Sequence, residues 1–302
     1  MGNAIKTTAK KRFSALLKKH GTVKKTPAEK ILYSIVFLVF CLFAASYVYV
    51  VFWCFYSGLR TADEAVVHPF GFSAVHFENY IRVFRELKVN DSNFFDMLIN
   101  SLYFSCLGSA LNILITTMFA YVCAKYRFFG SNLIYSVVIV VTTLPIFGSG
   151  TATYKLLYHL GFLNSRLMIL TSLGGFSMNF LYMYAFFRGV SKTYAEAAEI
   201  DGANDWQIFF RIMLPQSMAM AGSLFIILWM AEWNSYGTAL IYLNKMPTLA
   251  VGIYLFQTQM IHQSSMNILY AACFISLLPP LIIFVTCNSM LMSNVSLGGL
   301  KE

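Results

Sequence analysis

The chain has 302 residues, of which 58% are hydrophobic and 12% are charged, and its mean hydropathy is +0.64. In soluble globular domains about a quarter of the residues are charged. The composition therefore excludes that class and predicts an all-α polytopic membrane protein.

The first predicted element is a basic tail at residues 1–30. It holds nine Lys or Arg residues and one acidic residue, Glu29, which gives a charge of +8 (nine minus one) out of a total of +9. A basic tail can bind nucleic acid. A solvated arm beside anionic membrane lipid, where it also fixes topology, is the simpler interpretation. We therefore expect contact with membrane lipid and no nucleic-acid partner.

Six windows of the sequence are apolar enough to cross a bilayer, which requires about 20 apolar residues. Five windows contain no Asp, Glu, Lys or Arg, and the fifth along the chain contains one carboxylate, Glu232. We predict a transmembrane domain at 31–302 with six transmembrane helices. The predicted spans are residues 31–57, 97–124, 133–154, 167–187, 217–241 and 268–291.

The distribution of basic residues predicts that both termini are cytoplasmic. Lys and Arg near the ends of spans favour the inner side of the membrane, and the basic tail places the N-terminus there. With six spans, the connection at residues 192–215 also lies inside. This connection, called the acidic segment below, carries four carboxylates within ten residues, which are Glu196, Glu199, Asp201 and Asp205.

The acidic segment is predicted to form a helix, a tight turn and a second helix. Residues 192–200 are mostly helix formers, and Gly202 follows at a place where a left-handed helix cap is least costly. Asn204 and Gln207 have the spacing of a capping box at the start of the second helix.

The second helix is predicted to have one apolar face, and Pro215 is expected to reset the chain before the next span. The residues of that face are Trp206, Phe209, Phe210 and Met213. An ordinary interfacial helix directs Lys and Arg toward the headgroups, whereas this segment is acidic beside an anionic leaflet. A docking surface for a protein partner therefore explains the charge better than a passive loop does.

The acidic segment also resembles a known motif. It contains the letters EAA, a glycine four residues after the second alanine, and the pattern I-x-LP. The matching residues are Glu196, Ala197, Ala198, Gly202, Ile212, Leu214 and Pro215. This pattern resembles the EAA loop of the permease subunits of bacterial ABC importers, and the extended form EAAEIDGA resembles their carbohydrate-uptake subfamily.

Four further elements make the resemblance extend over most of the chain. FSAVHFENYIRVF at 72–84 resembles the family's first external loop, and EWNSY at 232–236 resembles an element of its fifth span. LLPPLIIF at 277–284 and LGGLKE at 297–302 resemble its last span and tail. The tail departs from the usual ending, because Leu300 and Glu302 replace a valine and a glycine.

The resemblance implies a type I ABC importer permease fold with a cytoplasmic coupling helix. It implies that Glu196 contacts a separate ATPase, that Ala197 and Ala198 permit close packing, and that Gly202 supplies the turn. The ATPase-coupling set also includes Asp201, Ile212, Leu214 and Pro215.

The resemblance also implies a location and a set of partners. The location is the bacterial cytoplasmic membrane. The partners are a homologous permease subunit, an ABC ATPase dimer, an extracellular solute-binding protein and a carbohydrate substrate, with an oligosaccharide favoured. ATP and Mg²⁺ would bind to the partner ATPase. This chain contains no GxxxxGK[ST] stretch, so we expect it to carry no cofactor and not to be an enzyme.

The fifth span contains candidate substrate contacts. A carboxylate within a span is a functional candidate by default, and Glu232 is followed by Trp233, Asn234 and Tyr236. Aromatic faces combined with a few hydrogen-bonding groups suit a sugar. Alternatively, Glu232 lies in a wet outer mouth, and the aromatic residues only pack or anchor the span at the interface.

Three rival functions stay open on the sequence. The first is an ABC permease for a solute other than a sugar. The second is an ion-coupled secondary transporter, which requires ion-binding groups near the midplane. The third is an intramembrane enzyme, which requires converging His, Asp or Glu side chains within the spans. The sequence shows no such set, and its six cysteines lack metal-ligand spacing.

Overall fold

Helices dominate the computed structural model, which describes residues 26–68, 71, 74–126, 128–144, 148, 150–174, 176–259 and 266–295. Most of the predicted basic tail and the element at 297–302 lie outside these residues. The helices are α1 (Pro27–Gly58), α2 (Ala62–Val67), α3 (Glu78–Glu86), α4 (Phe94–Lys125), α5 (Ser131–Thr143), α6 (Gly150–His159), α7 (Met178–Gly189), α8 (Thr193–Ile200), α9 (Asp205–Asn234), α10 (Gly237–Tyr242), α11 (Leu249–Gln259) and α12 (Met266–Val295).

Four helices among the described residues are long and apolar enough to cross a membrane. They are α1, α4, α9 and the Met266–Cys287 portion of α12. They coincide with the first, second, fifth and sixth predicted spans, so those four predictions are confirmed as long apolar helices.

The other two predicted spans are not single helices. The span predicted at 133–154 divides into α5 and α6, and Leu144 between them is extended, with φ −84° and ψ 116°. The next residue, Pro145, lies outside the described residues, and a proline disfavours helical backbone at the residue before it. The span predicted at 167–187 divides into a 3-10 helix at Arg166–Ser172 and α7.

The end of the fifth predicted span also needs correction. The helix ends at Asn234 rather than at Ile241, because Ser235 is extended with ψ 111° and α10 starts afresh at Gly237. Asn, Ser and Gly all favour helix ends over helix interiors. Glu232 therefore lies two residues from the end of α9, in its last turn.

The described residues fall into two compact units, which are divided between Trp53 and Cys54. In the second unit, α4 packs against α7 and α9, and α9 packs against α12. Small residues permit close approach at two other helix contacts, between α11 and α4 and between α1 and α12. A Cβ on Gly252 would lie 2.2 Å from Met97 Sδ, and one on Gly58 would lie 3.0 Å from Ala271 Cα.

One buried polar network, which we call the Arg60 clamp, joins the end of α1 to α3 and α12. It consists of Arg60, Asn79 and Asn267, which are 1%, 4% and 4% exposed. The Asn79 amide donates to the carbonyls of Gly58 (3.1 Å) and Arg60 (2.9 Å), and the Asn267 amide donates to Arg60 O (3.2 Å).

The Arg60 guanidinium also has hydrogen-bond acceptors within the chain. Arg60 Nη2 donates to the carbonyl oxygens of Glu64 (2.9 Å) and His68 (2.6 Å). The Tyr80 hydroxyl donates to Phe55 O at 2.9 Å beside the clamp. Burying a charge or an amide is tolerable only with such partners, so this network fixes the loop that follows α1.

Candidate functional site

The acidic segment begins with α8, and a Schellman motif ends that helix. Gly202 has φ +81°, the left-handed conformation that suits glycine. Its amide donates to Glu199 O at 3.0 Å, and the Ala203 amide donates to Ala198 O at 2.9 Å. This pair of hydrogen bonds defines the motif, and the predicted glycine turn is confirmed.

A capping box starts the second helix of the acidic segment, as predicted. The Gln207 amide donates to Asn204 Oδ1 at 2.9 Å, and the Asn204 amide donates to Gln207 Oε1 at 3.0 Å. The predicted helix, turn and helix are therefore present, with α8 followed by the first turn of α9.

The predicted apolar face of α9 is wrong in part. Phe209 and Met213 are buried, but Trp206 and Phe210 are exposed and stack on each other with ring centroids 6.0 Å apart. The stretch Phe209–Met213 is π-helical. Its wider turn breaks the 3.6-residue spacing on which the prediction relied.

Pro215 does not separate α9 from the next span, contrary to expectation. It lies in the first turn of the α-helical portion Leu214–Asn234, and this portion directly follows the π-helical turn. A proline removes one amide donor, and the regular hydrogen-bond ladder is already interrupted by that turn. The acidic segment is consequently joined to a long apolar helix without a break.

Contacts with the end of α4 hold the acidic segment in place. The Tyr126 hydroxyl donates to Asp205 Oδ1 at 2.7 Å, and Lys125 Nζ donates to Val190 O at 2.5 Å. Burial, followed by the hydrogen bond to Asp205, raises the pKa of Tyr126, so the hydroxyl remains a donor at neutral pH. Sequence reasoning missed these anchors, because the residues lie 65 and 79 positions apart and no local pattern marks them.

The structure distributes the predicted coupling residues over two faces of α8. Ala198 is 7% exposed and packs in the chain's own core, together with Ala195 and Ala203. Glu196 and Ala197 are exposed on the other face, where Ile200 is 87% exposed.

Three carboxylates of the acidic segment make no side-chain hydrogen bond or ion pair with another described residue. They are Glu196, Glu199 and Asp201, and all three are exposed. Beyond the turn, Ile212 and Leu214 are partly buried against the same core as Ala198, and Pro215 is exposed. The segment thus offers a rigid face with an apolar residue, Ile200, among unpaired acidic groups.

The four candidate substrate residues at the end of α9 line two different cavities. Glu232 borders a cavity of about 70 Å³, which we call the polar niche, together with five hydroxyl residues and four apolar ones, Phe104, Met168, Ala239 and Leu243. The hydroxyl residues of this polar niche are Thr171, Ser172, Ser235, Thr238 and Thr248. Its volume suits one small substituent and not a sugar ring.

The other three candidates line a larger cavity of about 270 Å³, which we call the tyrosine pocket. Tyr236 stacks on Tyr254 with centroids 4.7 Å apart, and Asn234 and Gln257 are exposed at its rim. Trp233 is buried, and its Nε1 donates to Ser276 O at 3.2 Å. Sequence reasoning missed Tyr254 and Gln257, because α11 carries no motif.

Comparison with known proteins decides the family. A model of the family described as binding-protein-dependent transport system inner membrane component matches residues 113–293, which is more than half of the chain. The chain belongs to this family. It is therefore an inner-membrane transport component that crosses the membrane several times, in agreement with its four long apolar helices.

Individual relatives of this transport component cover most of the chain. It is 28% identical over 251 residues to the diacetylchitobiose uptake system permease protein NgcG of Streptomyces coelicolor, with 82% of each chain covered. It is 23% identical to the arabinooligosaccharides transport system permease protein AraQ of Bacillus subtilis, with 87% of this chain and 94% of that protein covered.

A solved structure shares the fold of the transport component. A chain of a bacterial ABC transporter involved in the import of the acidic polysaccharide alginate superposes with a TM-score of 0.72 at 19% identity. The match covers 89% of this chain and 99% of the other. The fold is thus that of an ABC importer permease, as the sequence resemblance implied.

Proposed function

We propose that this chain is a permease subunit of an ATP-driven importer of carbohydrates, specifically oligosaccharides. The observation that carries the proposal is the rigid, exposed face of the acidic segment, with unpaired carboxylates, in a chain of the binding-protein-dependent transport family. The names of NgcG and AraQ, which describe uptake of diacetylchitobiose and arabinooligosaccharides, support the sugar class.

The topology that we propose has six spans with both termini in the cytoplasm. The third and fourth crossings would be the broken elements α5–α6 and Arg166–Ser172 with α7. Broken helices are tolerated at membrane depth where other helices or water satisfy their backbone groups. The acidic segment then lies on the cytoplasmic side, and the end of α9 lies toward the outer side.

The acidic segment would couple this chain to a separate ATPase dimer, where ATP and Mg²⁺ bind. Glu196, Ala197 and Ile200 face away from the chain's own core and are available to that partner. Ala198 would act instead through the packing of α8 on its own bundle. Because α8 is joined rigidly to α9, movement of the ATPase would move a spanning helix, which is the requirement for alternating access.

A homologous permease subunit and an extracellular solute-binding protein would complete the importer. The tyrosine pocket is the better candidate for contact with sugar. Tyr236 and Tyr254 provide aromatic faces, and Asn234 and Gln257 provide amides beside them. Exposure of these amides to lipid would be energetically unfavourable. We therefore expect them to face a water-filled translocation path or a subunit interface. Glu232 would contact one substituent from the neighbouring polar niche.

Uptake of labelled neutral oligosaccharides by cells with and without this chain tests the proposal. We expect uptake to be lost with the chain, to require ATP, and to survive collapse of the ion gradients. Uptake that follows an ion gradient and survives ATP depletion would support the secondary-transporter alternative. ATP-dependent uptake of a different class of solute would support the permease function and reject sugar as the substrate class.

A paired substitution tests the tyrosine pocket separately. Loss of one aromatic stacking face by Tyr254→Ala should weaken the response to sugar by about tenfold, measured as sugar-dependent ATP hydrolysis of the reconstituted importer. Tyr182→Ala, which removes an exposed tyrosine elsewhere, is the control. Equal responses of the two variants would reject the pocket and leave the importer function intact.

A further inference from the structure

A second cavity beside the acidic segment is strongly basic. This basic pocket has a volume of about 320 Å³ and lies where α4 and α7 end and where α5 and α8 begin. It shares no lining residue with the polar niche or the tyrosine pocket. The described residues that line it are Cys123, Ala124, Lys125, Tyr126, Ser131, Asn132, Tyr184, Arg188, Val190 and Lys192.

The charges of the basic pocket are not neutralised within the described chain. Three of its described lining residues are basic, namely Lys125, Arg188 and Lys192, and none is acidic. The Lys125 amine donates to a neutral carbonyl, Val190 O, and the Arg188 guanidinium lies 6.0 Å from the ring of Tyr184. None of the three forms an ion pair with another described residue. Three unpaired cations around one cavity favour an anion.

A helix terminus adds to this positive potential. Ser131 and Asn132 are the first two residues of α5, a helix of 13 residues. The N-terminus of a helix carries partial positive charge, which attracts phosphate groups, although the Ser131 amide itself donates to Phe128 O at 3.2 Å. The hydroxyl and amide side chains at these positions add hydrogen-bonding capacity beside the three cations.

The position of the pocket indicates where such an anion comes from. α4 is one of the long apolar helices, and Lys125 is its last residue. The pocket therefore lies at the level where the hydrocarbon of the bilayer gives way to water, which is the level of lipid phosphates. Basic pockets between spanning helices on the cytoplasmic side are typical sites for anionic headgroups.

We propose that the basic pocket binds the phosphate of an anionic phospholipid, held by Lys125, Arg188 and Lys192. The bound headgroup would lie against Lys192, the residue that directly precedes α8. Anionic lipid would thereby brace the junction between α7 and the acidic segment. The proposal concerns a lipid site and does not depend on the identity of the transported solute.

The test measures how lipids protect the purified, delipidated full-length chain in detergent against thermal unfolding. The probes are phosphatidylglycerol, phosphatidylcholine with the same acyl chains, and inorganic phosphate. Each basic side chain near a membrane surface strengthens binding of anionic lipid by about fivefold. We expect phosphatidylglycerol to be preferred over phosphatidylcholine, and the double variant Arg188→Gln/Lys192→Gln to bind phosphatidylglycerol roughly 25-fold more weakly.

The control is Lys155→Gln/Arg166→Gln, which removes two exposed cations outside the pocket. This variant should still prefer phosphatidylglycerol over phosphatidylcholine. Arg188 and Lys192 are exposed as well, so the test variant should fold, and unfolding without lipid checks this. Equal protection by the two lipids, or equal losses in both double variants, would overturn the proposal. Protection by millimolar inorganic phosphate that depends on Arg188 and Lys192, without a lipid preference, would assign a soluble anion instead.

Discussion

The Arg60 clamp and the acidic segment are both polar regions of an apolar chain, and they differ in where their polar groups find partners. In the clamp, Arg60, Asn79 and Asn267 are almost fully buried and bond to carbonyl oxygens of the same chain. In the acidic segment, Glu196, Glu199 and Asp201 are exposed and make no side-chain bond to another described residue. The first region uses its polar groups within the fold, whereas the second leaves its charges exposed at the surface, where a partner can reach them.

This difference changes the interpretation of the ENY element at 78–80. By resemblance it belongs to the family's first external loop. In the structure Asn79 is a buried part of the Arg60 clamp, and Tyr80 donates to Phe55 O. Of the three residues only Glu78 is exposed. The element therefore holds the loop together, and we assign Asn79 and Tyr80 no contact with a partner.

Substitution of Gly202 should have the largest effect on transport. Gly202→Pro removes the hydrogen bond to Glu199 O and cannot adopt φ +81°, so the Schellman turn is lost. We expect uptake near background while the chain still inserts into the membrane. Gly202→Ala, strained by about 1–2 kcal/mol, should give an intermediate rate. Normal uptake by Gly202→Pro would refute the role of this turn in coupling.

Removal of the Glu196 carboxylate should lower transport without destabilising the chain. Because this exposed group has no partner among the described residues, the unfolding midpoint of Glu196→Ala should equal that of the wild type. Uptake and stimulated ATPase activity should both fall several-fold. Glu78→Ala, which removes an exposed carboxylate beside the clamp, is the matched control. A lower midpoint in Glu196→Ala would show that the residue serves the fold.

Removal of Asn79 should produce the opposite pattern. Asn79→Ala leaves the carbonyls of Gly58 and Arg60 without one donor each, and a stranded buried polar group costs about 1–3 kcal/mol. We expect less inserted protein and a lower midpoint of thermal unfolding, with normal uptake per inserted molecule. Unchanged stability would mean that the clamp does not hold the fold.

The smallest effect is expected for Tyr126→Phe. This substitution removes the 2.7 Å hydrogen bond to Asp205, which contributes about 1 kcal/mol because the pair is partly exposed to solvent. Uptake should fall modestly and the unfolding midpoint slightly, whereas Tyr182→Phe should change neither. A loss of uptake as large as that of Gly202→Pro would show that coupling depends on this hydrogen bond as much as on the turn.

The sequence predicted the parts of the molecule that follow from local rules. Gly202, Asn204 and Gln207 lie within a few residues of the groups they bond, so turn and cap chemistry sufficed. Four spans followed from length and hydropathy. The end of α5 at Thr143 also has a local cause, because Pro145 disfavours helical backbone at Leu144. The prediction of one span at 133–154 relied on hydropathy and ignored this proline.

The remaining features depend on contacts between distant residues. The π-helical turn at Phe209–Met213 has no sequence signature, and it moved Trp206 and Phe210 off the buried face. The Tyr236–Tyr254 stack and the bond between Tyr126 and Asp205 join residues on different helices. Burial of Ala198 and exposure of Ala197 likewise depend on how α8 packs against the other helices. The EAA motif alone does not predict that packing.

We propose that the exposed face of the acidic segment binds an ATPase subunit. The direct measurement is gentle purification of the chain from its own membranes by a C-terminal tag, followed by mass spectrometry of the proteins recovered with it. A nucleotide-binding subunit and a second permease should accompany the wild type, and Ile200→Glu should lose the ATPase while retaining the permease. Recovery of the wild-type chain alone, or as a homo-oligomer, would contradict the claim.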